Sequence, residues 1–129
     1  MKKILIVDDK KNVRNSLSIG LKREGYYVDV ADGALEAISK MNIDHFDVLL
    51  SDVRMPDKNG FELAMEIARL HPHVQTILMS AYNFKDYEER YQGADRCTKI
   101  SKPFAMNELL SVLENRHHQM QDAEEPMSL

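Results

Sequence analysis

Asp8 and Asp9 stand side by side directly after the apolar run Ile4-Leu5-Ile6-Val7, and Asp52 closely follows Val48-Leu49-Leu50. Ser80 follows the stretch Thr76 to Met79, and Lys102 follows the stretch Cys97 to Ser101. Three carboxylates gathered at one place repel unless a cation joins them, and an all-oxygen donor set with room for water suits Mg²⁺ or Mn²⁺ better than zinc. Such an ion would offset the charge of an incoming phosphoryl group while Asp52 attacks it as nucleophile, giving an acyl phosphate. Lys102 would then hold another phosphoryl oxygen, and Ser80 a third.

That chemistry requires elements that bring five distant residues to one rim. The apolar runs Ile4 to Val7, Val28 to Val30, Val48 to Leu50 and Thr76 to Met79 are each followed by an amphipathic stretch. Alternation of this kind predicts βαβ units and a parallel sheet, with ligands beyond the carboxyl ends of the strands, where the strand order reverses. The spacing of Val13, Leu17, Gly20 and Leu21 predicts a first helix with Asn12 as its cap and Gly25 as its stop. Further helices are expected over Ala34 to Met41, Phe61 to Leu70, Phe84 to Gln92 and Asn107 to Arg116, with a fifth strand over Cys97 to Ser101. Five βα units result, forming one domain over residues 1–117, and the polar stretch 118–129 reads as a flexible tail.

Composition narrows the function classes. The 129 residues carry 43% hydrophobic side chains, enough for one ordinary core, and a formal charge of -4 spread along the chain. No basic stripe is present to neutralise phosphates, so direct nucleic-acid binding is not expected. The first apolar run meets Asp8-Asp9 too early for a signal peptide or membrane span, and the lone Cys97 cannot form an internal disulfide. The default compartment is the cytoplasm.

Four motifs in order, Ile4 to Asp9, Asp52-Val53-Arg54-Met55-Pro56 with Gly60 beyond, Ser80-Ala81-Tyr82, and Lys102-Pro103-Phe104, resemble the signature set of response-regulator receiver domains of the CheY-like superfamily. Each motif alone is common, but all four on consecutive predicted strand ends are specific. The resemblance implies a doubly wound, flavodoxin-like sheet of strand order 2-1-3-4-5 with five helices. It implies that Asp52 accepts phosphate from a histidine kinase or phosphotransfer protein in a Mg²⁺-dependent reaction. It also implies a metal site of Asp8, Asp9, Asp52 and the backbone carbonyl of Arg54, and a cis Lys102-Pro103 bond. In the family the hydroxyl at the Ser80 position moves toward the phosphoryl group. An aromatic side chain two residues before the lysine then swings inward and alters the face of the fourth helix, fifth strand and fifth helix, where a downstream protein binds. Ile100 occupies that aromatic position here, and Gly93-Ala94 lies nearer Ser80 than the family pattern sets it. A monomer or weak dimer is expected, either free-standing or part of a longer protein.

Blander roles compete for each residue. Asp8 and Asp9 can end a strand and cap a helix, Asp52 can sit in a turn, and Lys102 can be a solvated amine; their combination at strand ends argues otherwise. Pro56 and Gly60 shape a loop. His71, His73, His117 and His118 read as solvated side chains, Phe84, Tyr87 and Tyr91 as core-facing rings, and Cys97 as an inert buried thiol. Two other functions stand beside the signalling switch. One is a pseudo-receiver that binds partners without phosphate; the other is an aspartyl-nucleophile phosphohydrolase. The hydrolase reading wants a second acid two residues after the nucleophile, where this chain has Arg54.

Overall fold

Runs such as Lys3–Val7 and Val48–Asp52 lack the in-out alternation of a half-wet strand, and they become strands covered on both faces. The computed structural model describes residues 2–81, 84–85 and 97–114. The strands are β1 (Lys3–Val7), β2 (Tyr27–Ala31), β3 (Val48–Asp52), β4 (Gln75–Ser80) and β5 (Thr98–Ser101). They form one sheet in the order β2-β1-β3-β4-β5, every pairing parallel. The helices are α1 (Lys11–Arg23), α2 (Ala34–Ile43) and α3 (Gly60–Leu70), with a last helix over residues 106–114. Four helices thus stand among the described residues. The helix expected over Phe84 to Gln92 falls largely on residues 86–92, which lie outside them, as do the domain limit at 117 and the tail.

Side-chain alternation along the strands sorts the core into two layers. Ile4, Ile6, Leu50, Ile77, Met79 and Ile100 pack with Leu17 and Leu21 of α1 and Leu109 and Leu113 of the last helix. Leu5, Val7 and Leu49 pack on the other face with Ala34, Ala37 and Met41 of α2 and Leu63 and Ile67 of α3. Each fully buried Leu or Ile stabilises the fold by roughly 1.5–3 kcal/mol, so the layers hold the strand ends in place. A third patch, Val53, Phe61, Ala64 and Leu78, lies under Phe84, whose ring meets Phe61 edge-on at 6.5 Å, as expected of a core-facing ring.

The ends of α1 show how local chemistry sets the frame. Gly25 has φ +94, the left-handed conformation that favours glycine, and its N–H donates to the Lys22 carbonyl at 3.0 Å while Tyr26 N–H donates to Leu21 at 3.1 Å. The expected stop at Gly25 is therefore present. The expected cap at Asn12 is not: Lys10 is the N-cap, without a side-chain cap bond, and its N–H donates to Asp8 Oδ1 at 2.9 Å. Asp8 turns the chain early, and Asn12 lies inside the first turn. Because β1 sits between β2 and β3, the strand order reverses there, and the crevice at their carboxyl ends lies beside Asp8 and Asp52. No helix among the described residues is long and apolar enough to cross a membrane.

Candidate metal centre

Register brings the acids together. Val7 of β1 lies opposite Ser51 of β3, so the next residues, Asp8 and Asp52, leave adjacent strands side by side. Asp8 N–H donates to the Ala31 carbonyl of β2 at 3.2 Å, extending the strand hydrogen bonding by one residue. Arg14 Nη1, from the first turns of α1, donates to the Asp8 carbonyl at 2.8 Å. Asp8 is fully buried, Asp52 is buried and Asp9 is exposed, and ligand oxygens of the three lie within 4.8 Å of one another.

Behind Asp52 the backbone is clasped. Val53 N–H donates to the Met79 carbonyl at 3.1 Å, and Gly60 N–H donates to the Val53 carbonyl at 2.8 Å. A Cβ at Gly60 would lie 2.4 Å from the Asp52 carbonyl oxygen, a distance no side chain tolerates, so only glycine lets α3 start this close to the site. Asn59 caps α3 by accepting from Glu62 N–H at 2.9 Å, and Glu62 accepts in return from Asn59 N–H at 3.3 Å.

Lys102 enters from the end of β5. Its ammonium lies 3.2 Å from Asp52 Oδ1 and 3.3 Å from Asp8 Oδ2, with 21% of the side chain exposed. The Lys102-Pro103 peptide is cis. Burial lifts the Asp52 carboxyl above its ordinary range; Lys102 draws it back in part, and Asp8 adds to the lift. Burial disfavours the charged Lys102 amine, but Asp52 and Asp8 outweigh it and hold the ammonium above its usual value. One ammonium thus pairs with the two buried carboxylates of a cluster of three, and the oxygen-only donors fit a hard divalent cation such as Mg²⁺ or Mn²⁺.

The other sequence-predicted residues fall as follows. Ser80, buried at the end of β4, is one residue beyond Met79, the partner of Asp52, and its carbonyl accepts from Lys102 N–H at 2.9 Å. Arg54 is exposed in the loop after β3. Ile100 is in the core, 7% exposed, among Ile77, Met79, Leu109 and Leu113. Cys97 is half-buried rather than buried, packed beside Val53 and Phe61. His71 and His73 sit at the opposite, amino end of the strands, where the ring of His73 stacks on His45 with centroids 5.2 Å apart. Tyr87, Tyr91, His117 and His118 lie outside the described residues. Sequence reasoning missed Arg14 and Asp57, both of which bond to backbone groups and so leave no signature of residue type at fixed spacing.

Comparison with known proteins shows the family to which this fold belongs. The family model of the response regulator receiver domain matches residues 4–114, and the chain belongs to that family. It is 32% identical over 131 residues to the response regulator MprA of Mycobacterium bovis, covering 98% of this chain and 56% of MprA. It is 28% identical over 123 residues to the DNA-binding transcriptional regulator NtrC of Proteus hauseri, covering 95% of this chain and 26% of NtrC. The chain therefore spans about half or less of these relatives. Among solved structures it is similar to the response regulator TrrA of Thermotoga maritima, crystallised in complex with Mg²⁺-BeF. The TM-score is 0.78 and the identity 32%, covering 89% of this chain and 98% of that one.

Proposed function

We propose that this receiver domain is a phosphorylation switch of a two-component phosphorelay, taking a phosphoryl group on Asp52 from a histidine kinase or histidine phosphotransfer protein. The observation that carries the reading is the Lys102 ammonium 3.2 Å from Asp52 Oδ1 inside the oxygen cluster with Asp8 and Asp9. A carboxylate oxygen of Asp52 attacks phosphorus; the phosphorus–nitrogen bond of the donor breaks, and its electron pair stays on the leaving imidazole nitrogen. Lys102, now paired with Asp52, turns to a phosphoryl oxygen as that carboxylate becomes an acyl phosphate. Ser80, at the same rim, donates a hydrogen bond from its hydroxyl to another oxygen. Mg²⁺, held by Asp8, Asp9, Asp52 and the Arg54 carbonyl, supplies charge neutralisation when bound. The Mg²⁺-BeF complex of TrrA supports this reading.

A groove of about 590 Å³ opens beside Lys102, lined by Val13 and Leu17 of α1 and by Pro103 and Phe104. Its mostly apolar wall suits the approach of a donor helix carrying the phosphohistidine. The domain acts on itself rather than turning over a substrate, works in the cytoplasm as a monomer or weak dimer, and signals by binding a downstream protein. The binding face is that of β5 and the last helix, with the fourth helix that the sequence predicts.

The test is incubation with acetyl phosphate and Mg²⁺ followed by intact mass. Wild type is expected to gain one phosphoryl group, and Asp52→Asn, or wild type with chelator, none. Ile100, buried where the family carries an aromatic switch, favours one second reading, a binding module that works without phosphate. Failure of wild type to take up either acetyl phosphate or beryllofluoride would select that second reading.

A further inference from the structure

The loop that carries Arg54 is fastened at both ends. At its start, Val53 is tied to β4 and to Gly60, as described above. At its far end the carboxylate of Asp57 accepts three backbone N–H groups: Leu35 at 3.0 Å, Ala34 at 3.3 Å and Lys58 at 2.8 Å. The first two belong to the opening turn of α2, whose N-cap residue, Gly33, has no side chain to offer. A helix start leaves its first amides without partners within the helix, and here a residue of another loop satisfies them. Lys58 adds an ion pair to Glu66 of α3 at 3.0 Å. The segment Arg54 to Pro56 is therefore a short bridge between two fixed points.

We infer that Asp57 is a positioning residue, which fixes the loop bearing the Arg54 carbonyl by anchoring it on the first turn of α2, and so couples that helix to the metal site. The inference rests on the metal reading above, in which the Arg54 carbonyl is the one ligand supplied by the loop. Asp57 touches no reacting atom. Its carboxylate sets where the carbonyl stands, as outer partners of metal ligands do. Coupling of this kind is reciprocal: cation binding that tightens the loop must also tighten the opening turn of α2.

The experiment is calorimetric titration of the full chain with MgCl₂ at fixed ionic strength, for wild type, Asp57→Asn, Asp57→Ala and Glu62→Ala, with amide hydrogen exchange at Ala34 and Leu35 followed by NMR. Glu62→Ala removes the return half of the α3 capping box, the bond its side chain accepts from Asn59 N–H, while the Asn59 cap stays, and it serves as a control for general loosening at the same end of the loop. Asp57→Ala is expected to weaken Mg²⁺ binding about tenfold. Asp57→Asn, which keeps one acceptor oxygen, should fall between, and Glu62→Ala should match wild type. Mg²⁺ should slow exchange at Leu35 in wild type and leave it unchanged in Asp57→Ala. If Asp57→Ala fails to fold, Asp57→Asn and the wild-type exchange decide. Wild-type affinity in both Asp57 variants, an equal loss in Glu62→Ala, or no Mg²⁺ effect on Leu35 exchange would overturn the coupling. A wild type that binds no Mg²⁺ would overturn the metal reading beneath it.

Discussion

Asp52 and Asp57 are five residues apart, and their surroundings push their carboxyls in opposite directions. For Asp52 the lift from burial, with Asp8 added, exceeds the pull of Lys102, so its ionised form costs folded-state stability. Removing that charge should help the metal-free protein: Asp52→Asn in chelator is expected to melt above wild type at neutral pH, and a lower melting temperature would contradict the cause given. Asp57 shows the reverse. Burial raises its carboxyl, but the N–H groups of Leu35, Lys58 and Ala34 outweigh this and hold it below the ordinary 3.8. A depressed carboxyl stabilises the fold above its unfolded value, and that stability is lost as pH falls through the folded one. Asp57→Ala should thus cost about 1 kcal/mol at neutral pH, the usual worth of such a cap, with the gap to wild type closing below pH 3.8 in acid-denaturation curves. The acids of the rim were legible in the sequence because each ends or follows an apolar run. Asp57 and Arg14 were not, since any loop can supply a group that bonds to backbone.

Between residue and fold, Gly60 and Ile100 make separable demands. Gly60→Ala drives a methyl group against the Asp52 carbonyl, 2.4 Å away, so strand and helix must part. Overpacking of this sort costs about 1–3 kcal/mol, and the displaced Asp52 should also take phosphate more slowly, measured as the rate of mass gain from acetyl phosphate. Ile100→Ala leaves a cavity among Ile77, Met79 and Leu109 and should cost about 2–5 kcal/mol in urea unfolding while phosphorylation at Asp52 proceeds. Loss of phosphorylation in a folded Ile100→Ala protein would put this residue in the site rather than in the core. Most elements were readable from sequence because a parallel sheet buries unbroken apolar runs and amphipathic helices cover it. Lys10 displaced Asn12 as the cap of α1 because the Asp8 carboxylate turns the chain two residues on, a local side-chain turn that helical spacing alone does not reveal. Strand order, likewise, came only from resemblance, since periodicity cannot tell which edge a strand joins.

At the scale of the molecule, the carboxyl ends of the strands gather Asp8, Asp9, Asp52 and Lys102, while the amino ends gather His45, His71 and His73. A cation that binds only the folded chain stabilises it by mass action, by about 2.7 kcal/mol at a hundred times its dissociation constant. Melting temperature should therefore climb with Mg²⁺ and return with chelator in wild type, and scarcely move in Asp52→Asn. An equal rise in both proteins would mark a salt effect rather than a site. The sheet order β2-β1-β3-β4-β5 carries one more consequence. As a ribosome delivers the chain, β2 adds to one side of β1, then β3 to the other, then β4 and β5 each to the newest edge. Every strand joins an open border and none must be threaded between two already paired, so the order of synthesis is also a workable order of assembly.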